Sequence, residues 1–239
     1  MSTHTSPFLL IPGHWLGAWA WDDVQQHLTS WGHPVTALTL PGLDADDTAR
    51  LTRTLDDQVA AIVRAAQAGG GPVIIVAHSG ANAPVSRLLD QHPGLVRRVI
   101  WVDSGPAAPG IAPDADFPED QAARPLPPFE VLGTQASLAG LGASALARFR
   151  ERALSQPGTL LREAVTLNDD ARFDVPTTFV CCSMTSAQVI GMAESGHPLF
   201  AEVAGLTDVR YVDLPTGHWP MWSAPRELAE ILAAESAAS

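Results

Sequence analysis

The stretch VIIVAHSGANAP, residues 73–84, decides the fold. Its five apolar residues Val73 to Ala77 suit a strand buried on both faces, and the small residues Gly80 and Ala81 suit the start of a helix. A strand that turns this tightly into a helix projects the side chain at the turn, and small neighbours let the backbone reverse without a clash. The helix start also supplies free N–H groups and the positive end of its dipole. The residue at the turn is Ser79, so the segment reads as a nucleophile elbow. The G-x-S-x-G pattern stands here as Ala77-His78-Ser79-Gly80-Ala81, with each outer glycine enlarged by one methyl. A serine that only caps the helix is the other reading.

Similar runs lie on both sides of the elbow. Pro7 to Ile11, Pro34 to Leu40 and Arg97 to Val102 read as strands, with helical patterns over Trp19 to Ser30, Leu55 to Ala68 and from Ser79 to about Gln91. Strand–helix alternation of this kind predicts an α/β fold: a mostly parallel central sheet with helices on both faces. Seven prolines between Pro106 and Pro128 interrupt the rhythm, and helical patterns follow at Ala143 to Leu154 and Leu161 to Leu167. Alternation resumes with strand Thr177 to Cys182, a helical stretch near Pro198 to Ala204, strand Val209 to Leu214 and a last helix from Pro225. Residues 1–104 and 175–239 are therefore expected to form one core, with 105–174 inserted as a helical cap before the next-to-last strand.

At 239 residues and 46% hydrophobic content, the chain suits one sizeable domain. A net charge of −12 disfavours nucleic acid and anionic membrane as partners. The opening MSTHTSPFLLIPG has no basic leader region, and Pro12 and Gly13 cut its apolar run short, so a cytoplasmic location is expected. Cys181 and Cys182 are neighbours, which disfavours a disulfide. All 14 basic residues are arginine, so chemistry that needs a lysine amine is excluded.

A serine hydroxyl needs a base to take its proton. His218, in the loop PTGHWP after the last strand, stands where parallel strands bring their carboxyl ends together. The third member must hold the imidazole in one tautomer. The loop after strand Thr177 to Cys182 carries no carboxylate, whereas Asp103 directly follows Val99-Ile100-Trp101-Val102, 24 residues beyond Ser79. Asp103 is the acid expected here, with Asp213 and Glu194 as weaker candidates. The Gly-bearing loop Pro12 to Gly17 can offer a backbone N–H near His14, and Gly80 a second, to an oxyanion. The His14 side chain can also reach substrate, and Trp15, Trp219 and Trp222 are candidate walls of the cleft.

Taken together, PGHWLGAWAWDDV, AHSGA and PTGHWPMWSAP resemble the α/β hydrolase superfamily, in particular its small branch of plant methyl esterases and hydroxynitrile lyases. The resemblance implies Ser79 as nucleophile, His218 as base, His14 and Gly80 as oxyanion hole, and no metal or organic cofactor. The branch carries its acid after the next-to-last strand. An acid at the position of Asp103 is similar instead to other members, fungal zearalenone lactonases among them. The family's hydroxynitrile lyases use a lysine that this chain lacks. Its dehalogenases and epoxide hydrolases use an aspartate at the elbow. What remains is hydrolysis of a small, hydrophobic ester or lactone. A non-catalytic small-molecule binder, or a cofactor-free lyase, cyclase or thioesterase, is the alternative.

Overall fold

A computed structural model describes residues 6–237; the first five residues of the amino-terminal stretch read above lie outside them. The first part of the chain alternates β1 (Phe8–Ile11), α1 (Asp22–Ser30), β2 (Val35–Ala37), α2 (Leu55–Ala68), β3 (Val73–His78), α3 (Asn82–Gln91) and β4 (Val96–Val102). There follow the two-residue strand β5 (Ala123–Arg124), helices α4 (Phe129–Gln135) and α5 (Ala143–Arg152), strand β6 (Gln156–Pro157) and helix α6 (Gly158–Arg162), with β5 and β6 paired antiparallel. The chain closes with β7 (Thr177–Cys181), α7 (Ser186–Glu194), β8 (Val209–Asp213), α8 (Pro220–Ser223) and α9 (Pro225–Ala237).

Six strands form one sheet in the order β2-β1-β3-β4-β7-β8, every neighbouring pair parallel. The sheet has two buried faces because side chains alternate along each strand. Leu9, Ile11, Ile75, Ala77, Val99 and Trp101 join Val59 and Ile62 of α2 and Val85 and Leu88 of α3. Phe8, Leu10, Ile74, Val76, Ile100 and Val102 join Val24 and Leu28 of α1 and Leu228 and Leu232 of α9 on the other face. An α/β sandwich of this kind needs strands that are apolar at consecutive positions, as Val73 to Ala77 is. All six strands point the same way, so the loops after β1, β3, β4, β7 and β8 share one edge.

Local sequence sets the element boundaries. Thr54 caps α2 and exchanges bonds with Asp57, a capping box that starts the helix at Leu55 as expected. Thr185 and Gln188 make the same box at the start of α7, a helix the hydrophobic pattern did not reveal. The stretch near Pro198 is a 3-10 helix, Pro198–Gly205. The expected helix over Leu161 to Leu167 lies earlier, at Gly158–Arg162. Beyond it the backbone is extended because Val165 N–H donates to Ile111 O and Gly110 N–H to Val165 O, tying the two ends of the 105–174 segment together. Strand β2 covers only part of Pro34 to Leu40, although Leu38 N–H still donates to Leu10 O. Among the described residues no helix is long and apolar enough to cross a membrane.

Candidate active site

Ser79 is the first residue after β3, Asp103 the first after β4, and Trp15 stands in the loop after β1. These are the three described non-glycine residues in the left-handed region, with φ of 51°, 44° and 66°. Such backbone costs of order 1–3 kcal/mol per residue and persists where the surroundings enforce it. Gly13 is part of that enforcement. A Cβ placed on it would stand 2.8 Å from Ser79 Cβ and 2.9 Å from His78 O, so the β1 loop can lie against the elbow only as glycine.

The loop after β8 brings His218 over Ser79. His218 Nε2 is 2.8 Å from Ser79 Oγ, and His218 Nδ1 is 2.6 Å from Asp103 Oδ2. A carboxylate only accepts, so Nδ1 carries the proton and Nε2 is left to accept from the Ser79 hydroxyl. Asp103 is itself saturated: Cys182 N–H and Ser183 N–H donate to Oδ1 at 3.1 and 2.8 Å, and Ser183 Oγ–H donates to Oδ2 at 2.6 Å. Burial alone raises the pKa of this carboxyl, but the bonds from His218 and Ser183 outweigh it and hold the group below its ordinary value. Ser183 occupies the strand end where the resembling branch has its acid. Here that strand end donates to a carboxylate reaching across from β4. The other two acids do not join the line. Asp213 accepts from Ser186 N–H and Oγ–H at 2.6 and 2.8 Å, and Glu194 is exposed at the end of α7.

Behind the line lies His78, which sequence reasoning passed over as the variable position of the elbow. It is 1% exposed, and its Nε2–H donates to His218 O at 2.7 Å, fixing the loop that carries His218. Burial and the neighbouring His218 push its pKa down to about 3, so the ring is neutral. Trp219, 2% exposed, meets the His218 ring edge-on at 4.8 Å and packs on Phe149. Ser104 Oγ–H donates to Ser79 O at 2.9 Å. At the front, Gly80 N–H stands in the first turn after β3, where a helix leaves its N–H groups unpaired. The His14 N–H has no acceptor among the described residues. The His14 ring lies against Gly80, whose added Cβ would come within 2.2 Å of it. Gly80 follows Ser79 directly and His14 follows the Gly13 that lies against it, so these two N–H groups are the candidates to receive the oxygen of an attacked carbonyl.

A cavity of about 450 Å³ opens over Ser79, lined by His14, Gly80, Asn82, Asp103 and His218 and by apolar groups from 105–113, Val165 and the loops after β7. Cys181 lines it too, but burial, with Asp213 and Asp103 nearby, pushes its thiol up to about 12, far from the thiolate a sulfur nucleophile needs. The aromatic walls expected from sequence are elsewhere. Trp15 does not line the cavity: its Nε1–H donates to Arg124 O and its O accepts from Leu154 N–H, clasping the 105–174 segment to the sheet. Trp219 is core, backing His218, and Trp222 stacks on Trp19 at 5.6 Å.

This combination of parallel sheet, elbow and strand-end loops matches the family model of the alpha/beta hydrolase family over residues 8–231, and the chain belongs to that family. Among solved structures it is similar to an extracellular alpha/beta-hydrolase from a Paenibacillus species, described as a structural and functional homologue of tobacco salicylic acid binding protein 2. The two share 21% identity over 96% of this chain and 98% of the other, with a TM-score of 0.73. A pyrethroid hydrolase from Sphingobium faniae JZ-2 shares 19% identity over 98% of each chain, with a TM-score of 0.71. Tomato methylketone synthase I, complexed with 2-tridecanone, shares 16% over 97% and 98%, with a TM-score of 0.73. No curated protein matches by sequence.

Proposed function

We propose that the chain is a serine hydrolase that cleaves a small carboxylic ester or lactone through an acyl-enzyme, with Ser79 as nucleophile, His218 as base and Asp103 as the acid that orients it. The observation that supports this above all is the unbroken line from Ser79 Oγ through His218 to Asp103, at 2.8 and 2.6 Å. In the first step Ser79 Oγ attacks the carbonyl carbon while its proton passes to His218 Nε2. The oxygen that gains charge is received by the N–H groups of His14 and Gly80. His218 then protonates the leaving alkoxide, and the C–O bond breaks. Water, deprotonated by the same nitrogen, attacks the acyl group and restores Ser79. Every group the sequence needs is in the chain, so no cofactor enters the scheme.

Residues 105–174 act as the cap in this reading, with a division of labour. The strap from Gly105 to Pro113 roofs the cavity together with Val165, while Leu132 of α4 and Phe149 of α5 pack into the core beside α1 and α9. The test is a panel of aryl esters, lactones and thioesters presented to the unaltered chain and to Ser79→Ala. Hydrolysis of at least one ester or lactone, abolished by the substitution, is expected. Equal turnover in both proteins would remove Ser79 from the chemistry. Tight, saturable binding with no turnover at all would make the chain a binding protein.

A further inference from the structure

The charge inventory of the cavity constrains what it can hold. Among the described residues Asp103 is the one carboxylate on its wall, and no arginine lines it. Both Asp103 oxygens are already taken by His218, Cys182 and Ser183. A charged ligand would thus be desolvated with no counter-charge to receive it, a loss far larger than one hydrogen bond. The wall itself is apolar at Val165, Phe179, Met184 and Val189, and the rim carries Ile111 and Leu199, 58% and 71% exposed.

Of the other polar side chains on this wall, Asn82 accepts from Ala83 N–H and Ser104 donates to Ser79 O; His14 is different. The His14 imidazole lines the cavity, yet neither ring nitrogen has a hydrogen-bond partner among the described residues. Its backbone is the one that presents an N–H to the attacked carbonyl, so the ring sits one side chain away from the scissile bond. Burial first, then the charges of Arg124 and His218, push its pKa down to about 4, so it meets a ligand as a neutral ring with one N–H donor and one acceptor nitrogen. Arg124 is engaged by Asp114 and does not line the cavity. A polar group left without a partner in an apolar site discriminates strongly in favour of ligands that supply one.

We infer that the cavity selects an uncharged, mainly apolar ester or lactone bearing a hydroxyl on the carbon next to the scissile carbonyl, and that the His14 ring is the specificity-determining group that reads this hydroxyl. The assignment rests on the hydrolase reading for the orientation of the ester, and binding can be measured apart from turnover.

Three methyl esters differing only at that carbon make the test: methyl phenylacetate with hydrogen, methyl mandelate (each enantiomer) with hydroxyl, and monomethyl phenylmalonate with carboxylate. They are titrated at neutral pH into Ser79→Ala and into Ser79→Ala/His14→Phe, where phenylalanine keeps a flat ring over Gly80. One enantiomer of methyl mandelate is expected to bind Ser79→Ala about ten-fold more tightly than methyl phenylacetate, the worth of one added hydrogen bond. The carboxylate is expected to bind at least roughly ten-fold more weakly than methyl phenylacetate. His14→Phe should erase the preference for hydroxyl, leaving methyl mandelate and methyl phenylacetate within about three-fold of each other in affinity. Indifference to the hydroxyl in Ser79→Ala, a preference that survives His14→Phe, tightest binding of the carboxylate, or no binding of any of the three would each overturn the inference. Hydrolysis of the same esters by the unaltered chain separates the two readings. Hydroxyl-selective binding without turnover sinks the hydrolase and leaves His14 standing; turnover indifferent to the hydroxyl does the reverse.

Discussion

Asp103→Asn isolates the proposed acid, which follows β4 rather than β7. Two of the four donors around Asp103 are backbone N–H groups, those of Cys182 and Ser183, which cannot turn away from Oδ1. The asparagine must therefore direct its oxygen to them and its NH₂ toward Ser183 Oγ and His218 Nδ1. The serine hydroxyl can rotate to accept. The imidazole can accept only by moving its proton to Nε2, the nitrogen 2.8 Å from Ser79 Oγ. A protonated Nε2 cannot take the serine proton, so the base is lost while the packing is kept. The same tautomer error in serine-protease triads lowers turnover by about 10⁴, or about 5 kcal/mol of transition-state stabilisation. Because no particular substrate is needed, the assay is the second-order rate constant for phosphonylation by a fluorophosphonate, with thermal melting as the control for folding. A loss of three to four orders of magnitude with an unchanged melting point is expected. A loss of less than about ten-fold in a folded protein would refute the reasoning and shift the acid to Asp213 or Glu194.

Other expectations follow from the same geometry. Ser183→Ala removes a 2.6 Å charge-assisted bond to Asp103 but keeps the backbone donor, and kcat/KM should fall by roughly ten- to a hundred-fold; an unchanged value would mean that Ser183 only fills space. Gly80→Ala pushes a methyl into the His14 ring and should slow phosphonylation at least about ten-fold with little change in melting, checked by both measurements on one preparation. Acid stability should depend on His78, whose pKa is about 3 in the fold against 6.5 for an ordinary histidine. A histidine depressed by folding contributes its full stability above the unfolded pKa and loses it as pH falls toward the folded one. Its share of the loss between pH 7 and pH 5 is about 2 kcal/mol. Denaturant titrations of His78→Gln, which keeps a donor for His218 O, should show a pH 7 to pH 5 decline smaller by that amount; an equal decline in both proteins would contradict it.

The fold was legible because its physics is local and repeated. A short uninterrupted run such as Val73 to Ala77 is what a strand buried on both faces requires, and flanking Gly and Pro tell it from a longer buried helix. The line of Ser79, His218 and Asp103 was legible for a related reason: in a parallel sheet, residues that follow strands share an edge, so polar residues at strand ends are brought together by topology. What escaped were features that depend on which way a side chain turns. Trp15 and Trp219 stand beside the site in sequence, but Trp15 turns to clasp Arg124 and Trp219 turns into the core. His78 carries no sequence signal that distinguishes a loop-fixing histidine from any residue at the middle of an elbow. Ser183 read as the absence of an acid; its role as donor to an acid on the next strand appears only when the two strand ends are set side by side. Helix α7 did have a signal, the Thr185 and Gln188 capping box, which weak amphipathicity concealed.

The central claim is that Ser79 is the nucleophile and that His218 activates it. Peptide mapping by mass spectrometry after reaction with a fluorophosphonate tests it most directly, on the unaltered chain and on His218→Ala. The account predicts one adduct, on the peptide carrying Ser79, formed rapidly in the unaltered chain and all but absent from His218→Ala over the same time. No adduct on Ser79, or full labelling of Ser79 in His218→Ala, would contradict it.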